Sequence, residues 1–231
     1  MSLLFGGVIF LFYSTVQGLA LVPLIAMSAA GGMPQSKLHE LVLNGFNLAF
    51  ATTVGCPFML LACGLLARAR QGASTADYLA LRTLRVGTLV GWAAAMTLTA
   101  VGFSLLNDLA GREAPEFIVK TYATAGYLPF FWAAIAVCAP VSEEVLFRGF
   151  MFSGLAASRL GAKGAVALTS LAFAIVHGGQ YGWVEMVEIA VVGVLLGIAR
   201  ARTGSLFPPL AMHIALNLTS LTLYSLTLET G

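Results

Sequence analysis

The segment "PVSEEVLFRGF", residues 140–150, places Glu143, Glu144 and Arg148 inside a long apolar run, "LPFFWAAIAVCAPVSEEVLFRGFMFSGL". On insertion scales each ionised group costs ~2.5–3.5 kcal/mol at the centre of a membrane helix, so roughly 8–10 kcal/mol if all three were charged and unpaired. Ordinary packing does not ask for that. The other polar groups inside apolar runs are few. They are His177 in "FAIVHGG", Glu185 and Glu188 near the start of a later run, and His213 and Asn217 in "HIALN". His39, the remaining histidine, lies in a polar loop, where an exposed surface role is expected.

Helical spacing sorts these groups. Glu144 and Arg148 stand four residues apart, share a face and can form a structural ion pair. Glu143 is rotated by about 100° from Glu144 and should face a polar cavity instead. His213 and Asn217, also four apart, form a second polar face. Pro140, one turn before Glu143, removes a backbone donor and can kink the helix there, which would admit water. Taken singly, each group has a plain structural reading. A lone histidine is commonly a hydrogen-bonded interior residue, an asparagine is helix–helix glue, and Glu185 and Glu188 are solvated near an interface or paired with a loop base. The set asks for more: two histidines, an unpaired glutamate and an asparagine on three runs point to one shared wet pocket.

A glutamate beside an imidazole can hold and deprotonate a water molecule, Glu143 and His177 here. A histidine with an asparagine amide can donate to a developing oxyanion, His213 and Asn217 here. The chemistry implied is attack of water on a carbonyl, such as peptide-bond hydrolysis. No GxSxG elbow and no HExxH helix is present. Zinc held by Glu143, His177 and His213 is a chemically possible alternative, but the spacing does not demand it, and the expected cofactor is none.

The elements that position these residues follow from composition. The chain is 59% hydrophobic and 10% charged, where soluble domains are about a quarter charged. With a mean hydropathy of +0.91, it reads as an all-α polytopic membrane protein, one domain over 1–231. Its net charge of +2 forms no basic stripe, which argues against nucleic acid as a partner. The N-terminal run lacks a basic n-region and reads as a first span rather than a signal peptide. Cys56, Cys63 and Cys138 sit in apolar runs and read as buried structural thiols.

Runs long enough to cross fall at about 3–29, 41–67, 86–106, 128–153, 164–180, 183–199 and 205–228. That gives seven spans, or eight if 113–127 adds a re-entrant or amphipathic segment. Arg68, Arg70, Arg82, Arg85, Arg159, Lys163, Arg200 and Arg202 fall in one set of loops, and Lys37, Arg112 and Lys120 in the other. The positive-inside rule then puts the N-terminus in the cytoplasm and the C-terminus outside. Gly87/Gly91 and Gly193/Gly197 are spaced for close helix packing. Counting along the helices at ~1.5 Å per residue leaves His177 nearer the outer side than Glu143 and His213.

"EEVLFR" (Glu143, Glu144, Arg148) resembles the EExxxR motif of the CAAX prenyl protease and bacteriocin-processing family, also called CPBP or Abi. "FAIVH" (Phe173 to His177) resembles its FxxxH motif and "HIALN" (His213 to Asn217) its HxxxN motif. All three occur in the family's order, and the resemblance covers about 128–220 as a catalytic core. Residues 1–85 match only as hydrophobic spans. The resemblance implies an intramembrane endopeptidase of glutamic type in which Glu143 and His177 activate water and His213 with Asn217 forms the oxyanion site. Members remove the last three residues of prenylated proteins, process peptides or sorting signals, or confer bacteriocin immunity, and some act as scaffolds. The expected partners are therefore a membrane-associated protein or peptide substrate and the lipid bilayer; the Ala/Gly/Leu-rich composition adds the expectation of a bacterial inner membrane, where a prenylated substrate is not expected. Two rival readings are a non-catalytic scaffold or immunity protein and a proton-coupled transporter. The second usually shows internal repeats, and none is visible.

Overall fold

The computed structural model describes residues 2–34, 37, 40–41, 43–70 and 72–230; His39 lies outside them. Among the described residues there is no β-strand, only an isolated bridge between Gly178 and Tyr181. The named helices are α1 (Ser2–Ala30), α2 (Gly45–Arg68), α3 (Thr75–Tyr78), α4 (Val86–Leu109) and α5 (Glu116–Ala123). They continue as α6 (Leu128–Ala156), α7 (Gly161–Val176), α8 (Trp183–Thr203) and α9 (Phe207–Thr230). A helix therefore stands at each of the seven apolar runs.

Four of these helices, α1, α2, α4 and α6, are long and apolar enough to cross a membrane. The apolar α7 has 16 residues, a rise of ~24 Å against a hydrocarbon core of ~30 Å. The helices α8 and α9 have 21 and 24 residues but are too polar to count among these four. The stretch 113–127 holds only the eight-residue α5, a rise of ~12 Å that does not cross. The surface suits lipid rather than water. Met27 is 74% exposed, Leu98 72% and Leu109 85%, as large apolar side chains are where hydrocarbon is the solvent. The protein is an all-α integral membrane protein.

Local signals set the helix ends. Asn44 caps α2 by accepting from the backbone N–H groups of Phe46 and Asn47, so α2 starts later than the apolar run suggested. Gly204, at φ 65°, closes α8 in the left-handed conformation. Pro208 falls in the first turn of α9, where its missing donor is harmless. The two glycine pairs behave differently. A Cβ on Gly193 would lie 3.2 Å from Ser170 Cα, and one on Gly197 3.1 Å from Val166 Cγ1, so both let α8 approach α7 closely. Gly87 and Gly91 meet nothing within 4 Å. That corrects the reading of them as a packing pair: they lie on an outward face of α4.

The interior is built around α6. Leu146, Phe147, Phe150 and Met151 pack with Ile9 and Tyr13 of α1, Met59 and Cys63 of α2, and Phe173 of α7. Lipid is as apolar as these side chains, so dispersion and fit hold them together rather than exclusion of water. Cys56 and Cys63 are buried free thiols, whereas Cys138 is only half-buried.

Candidate active site

Helix α6 changes register twice. It runs as α-helix over Leu128–Ala133, as π-helix over Ala134–Cys138, as α-helix over Ala139–Glu144, as π-helix over Val145–Met151, and as α-helix again over Phe152–Ala156. Glu143 and Glu144 thus sit on a six-residue island between two π segments, a kind of irregularity that clusters at functional sites. The distortion expected at Pro140 takes this form.

The two glutamates have different surroundings. Glu144 is fully buried. Its Oε1 accepts from Arg148 Nη1 at 2.9 Å and lies 2.9 Å from Nδ1 of His213. The ion pair with Arg148 is the one the spacing implied. The contact with His213 is an addition, and it gives Glu144 two partners. Arg148, also fully buried, donates from Nη2 to the Gly193 carbonyl at 3.0 Å and lies over the Phe173 ring at 4.6 Å.

Glu143 is the less buried of the two, with a side chain 24% exposed. Its Oε2 stands 3.9 Å from His177 Nε2 and 3.9 Å from His213 Nε2. That is too long for a direct hydrogen bond, and Oε2 has no hydrogen-bond partner among the described residues. Glu143, His177 and His213 therefore converge, from three helices, on one carboxylate oxygen.

The ring orientations are fixed from behind. His177 Nδ1 lies 2.7 Å from the Phe173 carbonyl. A carbonyl only accepts, so this nitrogen carries the proton, and in a neutral ring Nε2 faces Glu143 with its lone pair. His213 Nδ1 faces the Glu144 carboxylate, so a second proton on Nε2 makes an imidazolium. Phe173 separates and supports both rings, at 4.7 Å from His177 and 5.6 Å from His213 between centroids.

His177 reaches this height for a simple reason. It caps α7 sixteen residues after Gly161, ~24 Å along the helix, while Glu143 lies thirteen residues before the end of α6, ~20 Å. The two helices share the 157–160 turn, so the offset is only a few ångströms. The glycines after His177 end the helix, with Gly179 at φ 85°. The apolar run had suggested a helix to residue 180.

Asn217 stands one turn beyond His213 on α9. Its Nδ2 donates to the Ile135 carbonyl in the first π segment at 2.9 Å, leaving one amide hydrogen uncommitted. Glu185 pairs with Arg112 of the α4–α5 loop at 2.9 Å, and Glu188 accepts from Asn107 at 2.9 Å. These two glutamates hold the end of α8 and stand apart from the site.

A cavity of about 370 Å³ is lined by Glu116, Gln180, Tyr181 and Glu185 among others. Tyr181 links it to the site, 6.4 Å from the His177 ring and 5.4 Å from Phe117 between centroids. Burial first, then the nearby charges of Glu143 and Glu185, push the Tyr181 phenol up. It remains a hydroxyl donor at neutral pH. Tyr181 was not signalled by spacing, whereas Phe173 stands at the head of "FAIVH", one turn before His177.

Two histidines and a glutamate are chemically a zinc set. Among the described residues, however, no three His, Cys, Asp or Glu side chains are grouped so as to hold a metal ion.

Residues 125–219, a span that contains Glu143, Glu144, Arg148, His177, His213 and Asn217, match the family of type II CAAX prenyl endopeptidase Rce1-like proteins. An uncharacterized 24.3 kDa protein of Escherichia coli is 31% identical over 174 residues, 74% of this chain and 78% of that protein. No solved structure matches. The motif residues, their convergence within the helices and these two likenesses agree: the chain belongs to the Rce1-like type II CAAX prenyl endopeptidase (CPBP/Abi) family.

Proposed function

We propose that the protein is an intramembrane endopeptidase of glutamic type. One observation carries this reading: two imidazole Nε2 atoms stand at the same 3.9 Å from one carboxylate oxygen that has no hydrogen-bond partner among the described residues. In this reading one water donates its hydrogens to the Glu143 carboxylate and to His177 Nε2. Glu143 takes the proton as the water oxygen attacks the peptide carbonyl. His213, as an imidazolium backed by Glu144, and the second amide hydrogen of Asn217 stabilise the oxyanion. Glu143 then returns the proton to the departing amine. Arg148 holds Glu144 and through it the tilt of His213.

The proposed substrate is a membrane-associated protein or peptide cut near its membrane end. The cavity lined by Tyr181 is where we propose that an extended segment docks, with Tyr181 6.4 Å from the His177 ring. We place the protein in a bacterial inner membrane with seven helical segments, the N-terminus cytoplasmic, and 128–220 as catalytic core of a single domain 1–231.

The direct experiment is to delete the gene and search the membrane proteome for an anchored precursor that persists uncleaved. Wild-type protein should restore cleavage and Glu143→Gln should not. Equal restoration by both would favour the scaffold reading.

A further inference from the structure

We infer that Arg200, a residue of none of the three motifs, is a positioning residue that sets the aim of the two glutamates. The inference rests on the glutamate-base reading above and gives it a mechanical support.

In an α-helix each carbonyl accepts from the N–H four residues on, and in a π-helix from the fifth. Where π hands back to α, one carbonyl is passed over. This happens twice in α6. The Ala139 N–H donates to the Ala134 carbonyl, and the next residue, Pro140, has no N–H. The Ile135 carbonyl is therefore left without a helical donor, and Asn217 of α9 supplies one at 2.9 Å. The Phe152 N–H donates to the Phe147 carbonyl, and α-helix resumes there. The carbonyl passed over is that of Arg148, and Arg200 Nε of α8 donates to it at 2.9 Å.

Each register change is thus secured by a side chain from another helix, and Glu143 and Glu144 lie on the island between them. One inserted residue turns everything beyond it by about 100° relative to an unbroken helix. The register therefore decides which faces the two carboxylates present to His177 and His213. Of the two securing residues, Asn217 belongs to a motif and Arg200 does not.

Arg200 is built in for this contact. It is 8% exposed, its Nη2 donates to Ser153 Oγ at 3.2 Å, and its guanidinium lies over Phe152 at 4.9 Å. No carboxylate pairs with it among the described residues. A buried cation without a counter-charge is costly, and a residue kept for packing alone would be apolar. Its forked donors reach two acceptors at the end of the second π segment, which lysine cannot reproduce.

The test uses the full-length protein in detergent, with Arg200→Met, Arg200→Lys and, as control, the exposed Arg202→Gln. The chain has three histidines, so the His213 ring signals can be followed by NMR and assigned by their loss in His213→Gln. Arg200→Met should move the His213 signals and lower kcat at least tenfold per folded molecule while KM stays within twofold. Arg200→Lys should lie between, and Arg202→Gln should match wild type. If Arg200→Met does not fold, Arg200→Lys carries the comparison. A lower melting temperature with unmoved His213 signals and wild-type kcat would reduce Arg200 to packing and overturn the inference. The NMR readout needs no turnover. Wild-type cleavage by Glu143→Gln would instead overturn the base reading and leave the register inference to the His213 signals.

Discussion

Nδ1 of His213 lies 2.9 Å from Oε1 of Glu144, the same oxygen that accepts from Arg148. This makes Glu144 more than half of an ion pair. It also fixes the direction in which Nε2 of His213 points, towards Glu143. The buried salt bridge and the proposed oxyanion site thus share an atom.

Glu144→Gln should therefore have two effects. It leaves Arg148 buried without its counter-charge, a loss of ~3–5 kcal/mol when such a pair is broken, and it removes the carboxylate oxygen that orients His213 Nδ1. A lowered melting temperature and lowered turnover per folded molecule are both expected. Thermal unfolding in detergent with active-site titration separates them. Wild-type stability would mean that the pair contributes nothing net.

Asn217→Ala should also lower both stability and activity. The Ile135 carbonyl loses the donor at 2.9 Å, which costs ~1–3 kcal/mol for a buried unsatisfied group. Loss of an oxyanion donor costs a further ~2.7–4 kcal/mol in the barrier. Asn217→Ala with wild-type turnover per folded molecule but a lower melting temperature would confine Asn217 to the first π segment.

Much of this was legible in the sequence. Hydropathy located helices at all seven apolar runs, because lipid exposure leaves its mark on every turn of α1 or α4. The i, i+4 spacing of Glu144 and Arg148 gave their pair, because both lie on one helix. Contacts between helices were not legible. Nothing local announces that Glu144 meets His213, 69 positions away, or that Glu185 meets Arg112. The π segments left no compositional trace beyond Pro140, since π and α differ only in which N–H each carbonyl accepts. Glycine spacing misled at Gly87 and Gly91, where the motif is present and the neighbouring helix is not.

That difference is measurable. Gly193→Ala should destabilise by ~1–3 kcal/mol, as overpacking does, because its new Cβ would lie 3.2 Å from the Ser170 backbone. Gly91→Ala should be neutral or gain ~0.5–1 kcal/mol, since alanine is the better helix former. Thermal unfolding of both variants in one detergent checks this. Equal losses would put a partner helix against Gly91.

Chelation tests the water-activating groups. Purified protein should keep its activity in EDTA or phenanthroline if, as proposed, Glu143 supplies the base. Activity lost to the chelator and restored by zinc would assign Glu143, His177 and His213 to a metal instead.

The most direct measurement compares Glu143→Gln with wild type, cleavage per folded molecule beside melting temperature. Among the described residues Glu143 has no ion-pair partner closer than 3.9 Å, so its loss should leave the fold intact. Turnover should fall by at least about 100-fold, as expected for a missing general base, with the melting temperature unchanged. A folded Glu143→Gln protein that cleaves at the wild-type rate would contradict the account.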